Sequence, residues 1–205
     1  VAMNPAAIKA NARFLEPGGT IIYDSDSFTE KNLRKANFET DDPFAECNLE
    51  DFFKIPVPIS SLTQEGLKDF GLDNKSVMRS KNMFALGLVC WMFNRPLDYV
   101  EEFVKNKFRK KPVVVDSNIK VLHDGYNYGL TMQHMTPSYL VHPAEIENGT
   151  YRNINGNHAT AWGLLAAAEK SGLELFLGSY PITPATDILT ALSERKDLGV
   201  KTFQA

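Results

Sequence analysis

Apolar positions along this chain recur sometimes at helical spacing and sometimes in short alternating or continuous runs, which predicts helices interleaved with short strands. Ile8, Ala12 and Leu15 share a helical face behind Asn4, a cap, and Pro5, a first-turn proline; Pro17-Gly18-Gly19 ends that helix. Residues 20–23 read as a short buried strand with Asp24-Ser25-Asp26 at its carboxyl end. Ile55, Val57 and Ile59 alternate with Lys54, Pro56 and Pro58, an edge-like strand because two prolines cannot donate to a central ladder. A short helix then opens at Thr63 and stops at Gly71.

Met83, Leu86, Cys90 and Phe93 place a buried helix over residues 82–93, broken by Asn94-Arg95-Pro96. Leu97, Val100, Val104 and Phe108 stripe the next helix, whose acids come early and lysines late, as the helix dipole favours. Val113-Val114-Val115 looks locally like a strand. Val115, Ile119, Leu122 and Tyr126 nonetheless repeat at helical spacing behind Pro112, so a helix is expected, with Gly129 beyond its end. Periodicity lapses over residues 130–150, where Met132, Met135, Pro137, Pro143 and Gly149 collect as in an interdomain linker. After it come a small-residue helix over 159–168 suited to close packing, a buried strand over 173–177, a helix over 188–192 behind the cap residues Thr186 and Asp187, and a last strand over 200–205.

Chemistry is expected at the joint between the last helix and the strand before it, residues 178–187. Pro181 and Pro184 fix their own φ near −65° and push Tyr180 and Thr183 towards extended conformations, which stiffens the loop. A stiff polar loop at the carboxyl end of a strand is where open α/β sheets place ligands. A rigid connection without chemistry accounts for the same prolines. Asp24 and Asp26 occupy the place of a ribose-binding acid, but without a GxGxxG loop they are expected to cap the helix beginning near Thr29.

Composition narrows the functions. The 205 residues suit one or two domains, 43% are apolar, and a net charge of −3 spread over mixed-sign stretches disfavours a nucleic-acid surface. No apolar run reaches the roughly 20 residues that span a bilayer, and no signal-like start is present, so a cytoplasmic protein is expected. Cys47 and Cys90 lack a ligand spacing, and His123, His134 and His142 lack i,i+4 partners, so no metal or cluster is expected on this chain alone. The Asn148-Gly149-Thr150 triplet matches a glycosylation acceptor by chance. Lys105, Lys107, Arg109, Lys110 and Lys111 are expected to be a solvated helix end. Val1 to Asn4 resembles the end of a strand entering a helix, and the chain stops in a strand, so both ends look cut.

Tyr180-Pro181-Ile182-Thr183-Pro184, with Asn155-Gly156-Asn157-His158-Ala159 ahead of it and Phe203-Gln204-Ala205 after it, resembles the start of the pyrimidine-binding domain of 2-oxoacid:ferredoxin oxidoreductases. Pro17-Gly18-Gly19-Thr20, residues 81–87 and residues 118–128 resemble the γ domain fused ahead of it in α subunits of the 2-oxoglutarate type. The resemblance implies an α/β fold: a doubly wound Rossmann-like γ domain at 1–129, a linker at 130–150, and the start of an α/β thiamine-diphosphate pyrimidine-binding domain at 151–205. It implies Coenzyme A-dependent oxidative decarboxylation of a 2-oxoacid, with Tyr180, Pro181, Ile182, Thr183 and Pro184 at the substrate and cofactor and Thr183 as the catalytic hydroxyl. Thiamine diphosphate would be shared with a β subunit that holds Mg2+ and an iron–sulfur cluster, ferredoxin would accept the electrons, and a ring-contacting glutamate would follow Ala205. A dinucleotide-dependent oxidoreductase and a non-catalytic assembly module are the alternative readings.

Overall fold

The computed structural model describes residues 1–132 and 137–205, so the expected linker residues His134 and Met135 lie outside the described residues. It divides into two compact units, Val1–Pro143 and Ala144–Ala205.

The first unit is built on strand β1 (Thr20–Asp24), which pairs in parallel with β2 (Phe53–Val57), Thr20 opposite Phe53 and Asp24 opposite Val57. On the other edge of β1, Ala2 forms a parallel bridge to Tyr23; Ala2 N donates to Ile22 O at 2.7 Å and Asp24 N to Ala2 O at 3.0 Å. The side chains of β1 divide between two apolar clusters. Ile21 and Tyr23 pack with Ala2, Ile8 and Leu49, whereas Ile22 joins Ile55, Val57, Phe84, Leu88 and Val121. Burial on both faces is why Ile21, Ile22 and Tyr23 follow one another without polar alternation.

Helix α1 (Pro5–Asn11) starts as its sequence predicts, Asn4 Oδ1 accepting from Ala7 N at 3.0 Å, and a 3-10 turn at Ala12–Phe14 continues it. Thr29 caps α2 (Glu30–Lys35), and Asp42 caps α3 (Pro43–Glu46), a helix of four residues that is too short to show a period. Helix α4 (Ile59–Gly66) begins four residues before the expected Thr63, because Ile59 is drawn into the apolar cluster against the sheet; Thr63 lies buried inside the helix.

Helix α5 (Asn74–Met92) begins eight residues before the expected Asn82, behind Asp73, whose carboxylate accepts from Ser76 N at 2.9 Å. Its buried stripe is Val77, Phe84, Leu88 and Trp91; of the expected face Cys90 is buried, while Met83, Leu86 and Phe93 are only partly buried, so that face is turned part of the way from the core. Helix α6 (Asp98–Lys107) buries Val104 of the expected stripe, but Val100 is only partly buried and Leu97 and Phe108 flank the helix as its caps. Helix α7 (Pro112–Thr131) confirms the helical reading of the valine run and continues two residues past Gly129, which has no Cβ because the Trp91 ring occupies that space. Gly87 of α5 and Gly125 of α7 face each other's helices: a Cβ on Gly87 would enter the Leu122 carbonyl, and one on Gly125 the Phe84 carbonyl. The two backbones therefore touch at this crossing. Tyr139, in the stretch expected to link the domains, is tied to the end of α5: its N–H donates to Met92 O at 2.7 Å and its ring stacks on Phe93 at 5.3 Å.

The second unit runs α8 (Gly156–Ser171), β3 (Phe176–Ser179), α9 (Thr186–Ser193) and β4 (Lys201–Gln204). Strands β3 and β4 pair in parallel, Phe176 opposite Lys201, around a βαβ crossover through α9. Ala161, Leu192 and Val200 form the core with Leu165, Leu177 and Ile188. The strand begins at Phe176 rather than at Leu173, which is exposed after the left-handed Gly172 that ends α8. The small-residue helix buries Ala161 and exposes most of its length, so the close packing expected of it is confined to that one position in this unit. Both units mix helix with parallel strands. Among the described residues no helix is long and apolar enough to cross a membrane.

Candidate functional site

The chain leaves β3 at Ser179, passes through Tyr180-Pro181-Ile182-Thr183-Pro184, and enters α9 at Thr186. Backbone bonds shape this loop. Ile182 N donates to Tyr180 O at 2.9 Å, and Thr186 N donates back to Ile182 O at 3.0 Å. Ala185 occupies the cap position of α9 with no side-chain bond, so Thr186 and Asp187 are its first residues rather than its caps; the folded-back Ile182 carbonyl takes that role. The Thr183–Pro184 peptide is cis. Asn157 Nδ2, from the first turn of α8, donates to Pro184 O at 2.7 Å.

Thr183 thus stands between two carbonyls, Ile182 and Pro184, that are each fixed by a hydrogen bond. Its side chain is exposed, as are those of Tyr180 at 66% and Ile182 at 63%. The loop therefore presents an aromatic ring, an aliphatic side chain and a hydroxyl on a held backbone, a combination able to lie against a flat ring and donate to a carboxylate. The two motifs of the second unit, 27 residues apart, meet here. His158 takes no part in the loop: Asn155 Oδ1 accepts from His158 N at 2.9 Å and lies 3.0 Å from its Nδ1, which is the capping of α8.

The acids at the carboxyl end of β1 have a different fate from either expected one. Asp24 is fully buried and accepts from Ser27 Oγ at 2.7 Å, Ser60 Oγ at 2.6 Å and Ser60 N at 3.2 Å, with Lys81 Nζ at 3.4 Å. Asp26 accepts from Ser61 N at 2.7 Å. Both acids therefore cap α4, not the helix behind Thr29, and Asp24 has no face open to a ribose. Burial acts to raise the Asp24 pKa, but the bonds from Ser60 and Ser27, with Lys81 beside them, outweigh it and hold the carboxyl below its usual range. No local pattern announces Ser60 and Lys81 as its partners, which lie 36 and 57 residues away.

The lysines after Val104 are exposed: Lys105 pairs with Glu101 at 3.1 Å and Lys107 lies over Phe103. His123 meets Glu101 at 2.8 Å, joining α7 to α6. Burial pushes both cysteine thiols up, at Cys47 with the help of the Glu46 carboxylate. Among the described residues no group of three or more His, Cys, Asp or Glu is placed to hold a metal ion.

Residues 1–128 match the family model described as pyruvate ferredoxin/flavodoxin oxidoreductase. Over all 205 residues the chain is 44% identical to the 2-oxoglutarate oxidoreductase subunit KorA of Mycobacterium tuberculosis, of which it spans 31%. Its fold matches the whole chain to 31% of a solved chain of the 2-oxoglutarate:ferredoxin oxidoreductase from Magnetococcus marinus, a structure with 2-oxoglutarate, coenzyme A and succinyl-CoA bound. That match has a TM-score of 0.67 at 28% identity. The chain therefore spans about a third of the length of the relatives it matches.

Proposed function

The chain belongs to the pyruvate ferredoxin/flavodoxin oxidoreductase family, and from that premise we propose that it forms part of the α subunit of a 2-oxoglutarate:ferredoxin oxidoreductase. The reaction converts a 2-oxoacid and coenzyme A to an acyl-CoA and carbon dioxide, releasing one proton and two electrons that pass singly through iron–sulfur clusters to ferredoxin. 2-Oxoglutarate is the substrate favoured by the two relatives above. The first unit is the doubly wound γ domain, and the second is the opening of the thiamine-diphosphate pyrimidine-binding domain. A β subunit completes the site and holds the magnesium ion and a cluster.

The observation that carries this reading is the pinned Tyr180–Pro184 loop at the carboxyl end of β3. Its chemistry fits the group. Tyr180 and Ile182 offer apolar surface to a ring, and Thr183 offers a hydroxyl to a substrate carboxylate. Thiamine diphosphate, when bound, supplies the electron sink for decarboxylation. This chain's part is to hold Thr183 where its hydroxyl can donate without being ordered at each turnover. The dinucleotide reading loses its anchor, since Asp24 is consumed in capping α4.

Thr183→Val, made in the full-length enzyme, keeps the shape of the side chain and removes the donor. A buried carboxylate oxygen left unpaired costs about 1 to 3 kcal/mol, so kcat/KM for 2-oxoglutarate is expected to fall roughly tenfold or more while cofactor affinity and melting temperature hold. Unchanged kcat/KM in a folded, cofactor-saturated variant removes Thr183 from the site.

A further inference from the structure

We propose that Asn157 is a positioning residue for this reaction, acting on substrate through Thr183; the inference rests on the reading of the loop given above. Three of the loop's hydrogen bonds, from Ile182 N, Ser179 Oγ and Thr186 N, come from the loop itself or from the elements it joins. They fold the loop onto the elements it joins, and the packing of Ala161 and Leu165 against Ile188 and Leu192 sets α9 on α8 without holding the loop itself. Asn157 Nδ2 to Pro184 O, at 2.7 Å, comes from α8 instead. Pro184 O also receives Asp187 N, but at 3.5 Å, a much weaker bond.

The donor is itself held. Asn157 is in the first turn of α8, whose start is fixed by Asn155 Oδ1 on His158 N and by Thr160 Oγ1 on Gly156 O. Since a carbonyl can only accept, the amide of Asn157 must present its NH2 group, which sets its orientation. One residue before that fixed carbonyl stands Thr183. A displacement of about 1 Å in a substrate-positioning group is enough to cost a large factor in rate, so the tie from α8 sets the alignment of the Thr183 hydroxyl. Asn157 needs no contact with substrate to do this.

A double-mutant cycle on kcat/KM for 2-oxoglutarate, in the full-length enzyme, tests the assignment. Asn157→Ala is expected to lose about fivefold, in line with one hydrogen bond, with melting temperature and cofactor affinity unchanged. Because both residues act through the same hydroxyl, adding Asn157→Ala to Thr183→Val should cost little beyond Thr183→Val alone. Losses that multiply in the double variant, or full kcat/KM in Asn157→Ala, overturn the positioning role while leaving the Thr183 reading intact. A silent Thr183→Val removes the reading of the loop, and the role of Asn157 with it.

Discussion

Gly125→Ala lowers the stability of the first unit by about 3 kcal/mol, the upper part of the range for overpacking. An added methyl would sit inside the Phe84 carbonyl, and neither partner can turn away, since the clash is with backbone rather than a side-chain tip. Helices α5 and α7 must therefore separate, loosening Leu88, Val121 and Leu122, all fully buried in the unit. The intrinsic preference of a helix for alanine over glycine, about 1 kcal/mol, works in the opposite direction and is outweighed. For a unit of this size the melting temperature should drop by roughly 10 °C. Gly163→Ala in α8 is the control. A Cβ there meets nothing within 4 Å, so propensity alone acts and the second unit should gain stability. A melting curve in which Gly125→Ala behaves like Gly163→Ala would show that the helix crossing tolerates a methyl.

Asp24→Ala is expected to cost about 3 kcal/mol, the lower part of the range for removing one partner of a buried pair, because Lys81 is partly exposed and can return to water. Most of the loss comes from Ser60 and Ser27, whose donors would be left facing each other across an empty position. Asp24→Asn keeps an acceptor for Ser60 N and should cost less. The sign of the pH dependence follows from the lowered pKa. A carboxyl with a folded-state pKa below its unfolded value stabilises fully above the ordinary carboxylate range, and that contribution is lost as pH falls through the folded pKa. The stability gap between the parent and Asp24→Asn should therefore be widest near neutral pH and narrow in acid. Chemical denaturation at several pH values measures it, and a gap that stays constant or widens in acid would rule out Asp24 as the charged hub.

What the sequence determined by itself is whatever acts within about one helical turn. Asn4 with Pro5 starts α1, the early acids and late lysines of α6 suit its dipole, and Pro112 with the recurrence of Val115, Ile119, Leu122 and Tyr126 makes a helix of a valine-rich run. The loop at Tyr180–Pro184 was legible for the same reason: proline fixes φ, and an apolar run on one side with helical spacing on the other places the joint. The family, too, was readable from that motif. Only the tertiary structure decided which long-range partners each element meets. The buried face of α5 is set by the sheet and α7 together, so its own pattern gave a partly rotated answer. Asp24 looked like a ribose acid or a local cap until α4, 36 residues on, brought Ser60 to it. Gly87 and Gly125 are unremarkable alone and make sense only as a pair of touching backbones. Asn157 reaches Pro184 only because α8 starts beside the loop. Dihedral preference and periodicity reach about four residues along the chain, whereas close packing and buried hydrogen bonds depend on which elements meet in space.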